Sequence, residues 1–190
     1  MADEEQFRII QQGSVRWNQW RKDNAHLTKV DLTMAILYGF RQLGGTNFSG
    51  ADLTGAQLGE TYLLGADLTE ANLAGANLFD AFLRKADLTG ANLTGAILIK
   101  TNLNKANLRG ANLTGANLWE TNLIKADLTG ADLTGAKVLD TVFGNTKLTD
   151  ARGLEACENL GGRASSTTQL SSDPANSRHP FFGAVDSPTR

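Results

Sequence analysis

Residues able to do chemistry are few in this chain of 190, and their spacing brings none of them together. The only histidines are His26 and His179, and the only cysteine is Cys157. A lone thiol makes no internal disulfide and no cysteine metal centre. No Cys–His pair falls at a catalytic spacing, and no glycine-rich phosphate loop is present, because the glycines recur every five residues instead. Asp52, Asn72 and Asn92 carry the oxygen ligands that Ca²⁺ takes. They recur at a fixed interval of twenty, which makes a row and not a cage. The residues argue against an enzyme, and they imply no cofactor and no metal.

The element behind this regularity is a five-residue unit that repeats twenty-one times without a slip from Thr46 to Asp150. Ala51-Asp52-Leu53-Thr54-Gly55 is a typical copy. The third position is Leu except at Phe48, Val138 and Phe143, and the first is Ala or Thr throughout. A period of five fits neither the helical stripe at 3.6 nor the strand alternation of two. A short side followed by a corner at every fifth residue does fit it. The first and third residues, two apart, then point inward, and the other three face water or form the turn. Units this small are stable only when stacked on their neighbours, so the array is a solenoid.

The pattern resembles the pentapeptide-repeat family, whose signature is Ala-(Asp/Asn)-Leu-x-x, and the resemblance covers roughly 25–153. It implies an all-β solenoid, a right-handed quadrilateral parallel β-helix with one pentad per side and twenty residues per coil. Before the frame at 46, Leu27, Leu32 and Leu37 are five apart, each with Ala25, Val30 or Ala35 two residues earlier. The segment 40–45 has six residues where five are expected, which predicts a bulge at a corner. With this segment the array makes about six coils, a rod of about 30 Å at ~4.8 Å per coil.

Residues 1–24 precede the array as a helical cap. Phe7, Ile10, Trp17 and Trp20 recur at helical spacing, with Gly13 as a break and Ser14 as an N-cap. An open β-helix end exposes core and unpaired strand edges, and an aromatic plug removes both problems. Docking of a partner is the other reading of this stretch. Residues 17–21 also resemble a leader found before bacterial pentapeptide arrays. After the array, 154–160 is predicted as a short C-terminal cap and 161–190 as a flexible Ser/Pro-rich tail, with all three prolines and one sticky point at His179-Pro180-Phe181-Phe182.

Residues twenty apart stack, so each wall can be read separately. The wall that holds Leu53 has Gly55, Gly75, Gly95, Gly115 and Gly135 at the fifth position, as a turn at positive φ favours. Its Asp, Asn and Thr side chains are expected to satisfy turn backbone groups. The next wall differs, with Phe79, Ile99, Trp119 and Leu139 at the fourth position, widened by Ile97. The core positions are already filled, so these form an outward apolar stripe, either a protein interface (self-association included) or a wall covered from within. The corner beside it carries Glu60, Asp80, Lys100, Glu120 and Asp140, and the following one Lys85, Lys105 and Lys125. Lys100 is placed to relieve its acidic neighbours, and Lys85 and Lys125 to meet Asp87 and Asp127.

A formal charge of −2 is too small to suggest nucleic-acid or membrane-surface binding, and no apolar run reaches the ~18 residues of a membrane span. An acidic N-terminus without an apolar signal region makes the cytoplasm the expected location. The leading reading is a non-enzymatic interaction or scaffold module that uses the apolar stripe. The alternative comes from the family resemblance, since some members mimic duplex DNA and inhibit or protect DNA gyrase. Mimicry calls for a strongly acidic rod, whereas the array has eleven Asp and Glu against eight Lys and Arg, with lysines along one corner.

Overall fold

A computed structural model of the protein describes residues 1–27 and 29–154. Parallel bridges link residues twenty apart without interruption, from Asn47 with Asp67 to Asp132 with Arg152. Each coil is therefore four pentads. Wall one begins with residues 46–50, and walls two, three and four begin with 51–55, 56–60 and 61–65. A wall contributes a rung of only two residues. The N–H of Asn92 reaches the Ala71 carbonyl one coil back at 2.9 Å, and the N–H of Leu93 reaches the Asn112 carbonyl one coil on at 2.7 Å. Corners close with a bond from the next pentad, as from Ala96 N–H to the Leu93 carbonyl at 3.0 Å.

The interior is filled as the pattern predicts. Leu93, Leu113 and their counterparts are fully buried, as are Phe48 and the small first-position residues. Threonine at the first position is buried too; the Thr61 hydroxyl donates to the Leu58 carbonyl of the preceding pentad, and from Thr101 onward the hydroxyl bonds downward. Thr101 donates to the Leu78 carbonyl at 2.7 Å and Thr121 to the Leu98 carbonyl at 2.6 Å. The Thr46 hydroxyl is buried without a partner. The carbonyl it would meet belongs to a coil below, and in its place the chain has a helix.

The first coil carries one extra residue. Asp31 pairs with Asp52 and Ile36 with Gln57, both twenty-one apart. The sequence pattern put the insertion at a corner, but it lies within wall four. Phe40 takes the first position, with its carbonyl bonded to Tyr62 N–H, and Leu43 takes the buried third position, leaving Arg41 and Gln42 where one residue usually stands. The coil also begins later than the leucine spacing implies. Val30, Leu32, Ala35 and Leu37 are buried, but Ala25 and Leu27 are exposed, so the array starts at Val30 and not at 25.

Two helices precede it, α1 (Glu4–Ile10) and α2 (Ser14–Asp23). Asp3 caps α1 by accepting from Gln6 N–H at 2.9 Å. Ser14 does not cap α2: Gly13, at φ 90°, holds that place, and the Ser14 N–H donates to the Gln42 carbonyl at 2.9 Å. The bulge therefore supplies the acceptor that anchors α2. Ile10 and Trp17 are fully buried, and Phe7 and Trp20 are half-buried against the core. Trp17 packs on Phe48 with ring centroids 5.8 Å apart, joining helix and rod. The predicted C-terminal cap (beyond Leu154) and the tail lie outside the described residues.

Because each core leucine fills a slot between two coils, Leu93→Ala or Leu113→Ala should cost about 2–5 kcal/mol. Thermal melts against a Thr114→Ala control measure this, and equal shifts for all three would refute the inward assignment.

Candidate functional site

Walls one and two are closed to partners by their own side chains. Each Asp or Asn at the second position accepts from the backbone two residues on and often from the hydroxyl there, as Asp132 does from Thr134 N–H at 3.0 Å and Oγ1 at 2.6 Å. Asparagines also bond along the column, as from Asn92 Nδ2 to Asn72 Oδ1 at 3.0 Å. These groups serve the turns. Among the described residues, no group of His, Cys, Asp and Glu could hold a metal ion, and His26 is exposed on the short link after α2.

Wall three has another character. Phe79, Ile99, Trp119 and Leu139 all project outward in one column, with Ile97 beside them. Trp119 and Ile97 are each 38% exposed, while Phe79, Ile99 and Leu139 are half-buried, chiefly because side chains at the coil spacing shield one another. The column continues into the first coil with Ile36 and Tyr38, 66% and 50% exposed. The twenty-one-residue offset hid this pair from the periodicity. Gly59 marks the join: a Cβ there would stand 2.7 Å from the Tyr38 ring. Glycine thus lets the tyrosine lie down over its wall, and the Tyr38 hydroxyl donates to the Glu60 carboxylate. That hydrogen bond, with slight burial and the acidic neighbours, holds the phenol above its ordinary value.

Wall four is partly apolar as well, which sequence reasoning missed. Tyr62 and Phe82 stack with centroids 4.6 Å apart, and Leu64 is 52% exposed. The Arg41 guanidinium, pushed out by the bulge, sits 5.2 Å from the Tyr62 ring centre. The signal was available in the pentads, since Tyr62 and Phe82 replace Asp or Asn at the second position.

The corners between these walls are unusual. Glu60, Asp80, Lys100, Glu120 and Asp140 have φ of 52° to 59°, the same left-handed turn that the glycines of wall two adopt at 63° to 68°. Positive φ is therefore common to every corner, and glycine is the easier residue for it. A side chain in this conformation costs roughly 1–2 kcal/mol. Lys100 meets Glu120 at 3.9 Å, as its ladder position suggested. Asp127, however, pairs with Lys147 at 3.2 Å and Arg109 at 3.6 Å, not with Lys125. Stacking by twenty puts Lys147 on its own column, and Arg109 reaches it from one coil back on the same wall.

Three carboxyls outside the apolar walls titrate low. The Thr33 hydroxyl and N–H hold Asp31 below 3.8, and those of Thr134 do the same for Asp132. Burial is the largest influence on Asp127 and pushes it up, but the bonds from Thr129 and Lys147 outweigh it and the net shift is downward.

Comparison with known proteins agrees with this geometry. The profile described as pentapeptide repeats matches residues 46–84, 76–115 and 111–150, in a family pattern of eight copies. A pentapeptide repeat protein from the thylakoid lumen of Arabidopsis thaliana is 39% identical, with a TM-score of 0.52 over 54% of this chain and 70% of that one. A pentapeptide repeat protein from the cyanobacterium Cyanothece 51142 is 28% identical, with a TM-score of 0.39 over 71% and 88%. A plasmid-mediated fluoroquinolone resistance protein is 22% identical, with a TM-score of 0.39 over 71% and 77%. No curated protein matches the chain. Among the described residues, no helix is long and apolar enough to cross a membrane.

Asp31, Asp127 and Asp132 bind fewer protons folded than unfolded. Their contribution is thus present above the unfolded value of 3.8 and is lost as pH falls through the lower folded values. Melting temperature should hold steady down to about pH 5 and then fall. The fall should be shallower in a double variant with Asp127→Asn and Asp132→Asn. An acid limb identical in the variant and the parent would remove these carboxyls from the account.

Proposed function

The chain belongs to the pentapeptide-repeat family, and from that premise we propose that it is a non-enzymatic protein-interaction module that docks a partner protein along wall three. The observation that carries this reading is the outward apolar column from Tyr38 to Leu139, which no packing need explains because the core is already full. A contiguous apolar strip rimmed by charge is how an interaction surface differs from ordinary scattered exposure. On walls one and two most second-position side chains are already used by their own turns, and they carry no comparable apolar column. Eleven acidic residues against eight basic ones in the array, with three lysines along one corner, favour this reading over imitation of duplex DNA and action on gyrase.

We also infer that α1 and α2 cap the N-terminal end of a right-handed coil. What supports the cap is where their polar atoms go. Gln6 Oε1 accepts from Asp31 N–H at 2.8 Å, and Asn18 Oδ1 from Asn47 N–H at 2.8 Å. Trp17 Nε1 donates to the Asn47 carbonyl at 2.7 Å, Asn18 Nδ2 to the Gly45 carbonyl at 2.8 Å and Arg21 Nη2 to the Ser49 carbonyl at 2.8 Å. Apart from the Gly45 carbonyl, the corresponding groups in later coils bond to the coil beneath. Helix side chains here stand in for that missing coil and leave no bare strand edge for a second chain.

Two measurements test these readings. Asn18→Ala leaves a donor and an acceptor of the first coil unpaired, so it should cost about 1–3 kcal/mol in thermal or denaturant unfolding. A neutral result would show that the edge needs no capping there. Trp119→Glu should leave circular dichroism and melting nearly unchanged while weakening capture of the partner in pull-down by at least about 2 kcal/mol, since tryptophan anchors dominate interfaces. Unchanged capture would move the docking surface off wall three.

A further inference from the structure

We propose that wall four is the contact between two copies of this chain, arranged side by side in parallel about a two-fold axis that runs along the rods. Three observations select this occupant, and none depends on the apolar column of wall three. The first is charge. Wall four is bounded on one side by the corner with Asp80 and Glu120 and on the other by the corner with Lys85, Lys105 and Lys125. A two-fold axis along the rods reverses left and right without changing height. The acidic corner of each copy then faces the lysine corner of the other at the same coil, Asp80 against Lys85 and Glu120 against Lys125. Each pair occurs twice. An antiparallel arrangement would instead set acid against acid and lysine against lysine, so complementarity fixes the orientation.

The second observation lies between the corners. Reversal sets the second position of one copy against the fourth position of the other. Exposed Arg84 then faces the partner copy's Phe82 ring, and exposed Leu64 lies at the level of Tyr62. The wall already receives a cation in this way, since Arg41 sits over Tyr62 within one chain. The third observation is the backbone at the corners. Lys85, Lys105 and Lys125 hold φ of 57° to 61°, where glycine would be relaxed. One level mismatches, with Lys100 against Lys105, and it weakens the match without reversing it, since the levels above and below are complementary.

Five stacked rungs make a wall roughly 25 Å tall, so the contact falls at the small end of specific interfaces and the dimer is a weak one. Sedimentation velocity over a concentration series reads it directly. The parent protein should pass from monomer to dimer, with association weakening as salt is raised. Two charge-reversed variants, K85E/K125E and D80K/E120K, should each self-associate at least about tenfold more weakly. Glu and Lys both occur at such corners already, so neither variant is asked to adopt a backbone foreign to it. An equimolar mixture of the two should recover the association, because reversed corners match each other. Arg84→Glu, on an exposed side chain, should weaken the parent dimer without any change at the corners. A parent that stays monomeric throughout overturns the proposal. So does a mixture no stronger than its components, or variants that self-associate as strongly as the parent, which is what an antiparallel pair with like corners facing in every form would give. Trp119→Glu should leave this dimer intact, which separates its failure from failure of the partner-docking reading.

Discussion

Backbone pairing between successive coils is the constraint on which the rest of the molecule depends. A side of five residues can make only a two-residue rung, and one rung has no stability alone. Each N–H and carbonyl that the corner leaves free must find the coil above or below, because a buried backbone group left unpaired is costly. Bonds such as Asn92 N–H to the Ala71 carbonyl and Leu93 N–H to the Asn112 carbonyl impose a rise of about 4.8 Å and a register of twenty. Side chains twenty apart then have no choice about their neighbours. Leucine stacks on leucine, asparagine on asparagine, and Phe82 on Tyr62 at 4.6 Å. Spacing that elsewhere comes from tertiary packing is set here by the chain itself.

The constraint also produces the molecule's main irregularity. A first coil has nothing beneath it, and the buried, unpartnered Thr46 hydroxyl records what is missing, since Thr101, Thr121, Thr141 and Thr146 all bond to the coil below. Helix α2 covers that side with Trp17, Asn18 and Arg21. Its start is tied to the carbonyl of Gln42, which stands clear because one extra residue was inserted between Phe40 and Leu43. Bulge and helix are thus one device: the insertion breaks the rung on wall four, and the freed acceptor holds the segment that replaces a coil.

Most of the fold was legible because the repeat states inward and outward positions twenty-one times over, and Leu93, Thr101 and Phe48 are buried as their positions require. What escaped were features that depend on one residue of register or on geometry beyond the pentad. Counting found the extra residue in 40–45 but placed it at a corner, whereas wall four absorbs it. The same offset concealed that Tyr38 lies over Gly59 and extends the apolar column. Leu27 matched the spacing yet is exposed, since a leucine five residues early is no rung without a coil to pair with. Ion pairs were misassigned for a related reason. Lys125 is near Asp127 in sequence, but stacking brings Lys147 and Arg109 to it instead.

Side-chain satisfaction separates the walls that maintain the rod from those free to act outside it. On walls one and two the second-position oxygens are consumed by their own turns, as with Asp132 and Thr134, and a partner would have to break those bonds to use them. On walls three and four many of those places are held by residues with nothing to give a turn: Ile36, Ile97, Tyr62, Phe82. There the corners also depart from glycine and accept left-handed strain at Glu60, Asp80, Lys85, Lys100 and Glu120. Stability alone would favour the opposite choice on both counts, since a Thr or Asx saves a turn hydrogen bond and a glycine relieves a corner. Both departures are concentrated on the same two adjoining walls, although Glu70 and Asp150 carry the left-handed corner on wall one as well. A chain that forgoes stability chiefly there presents its surface chemistry on that half of the rod.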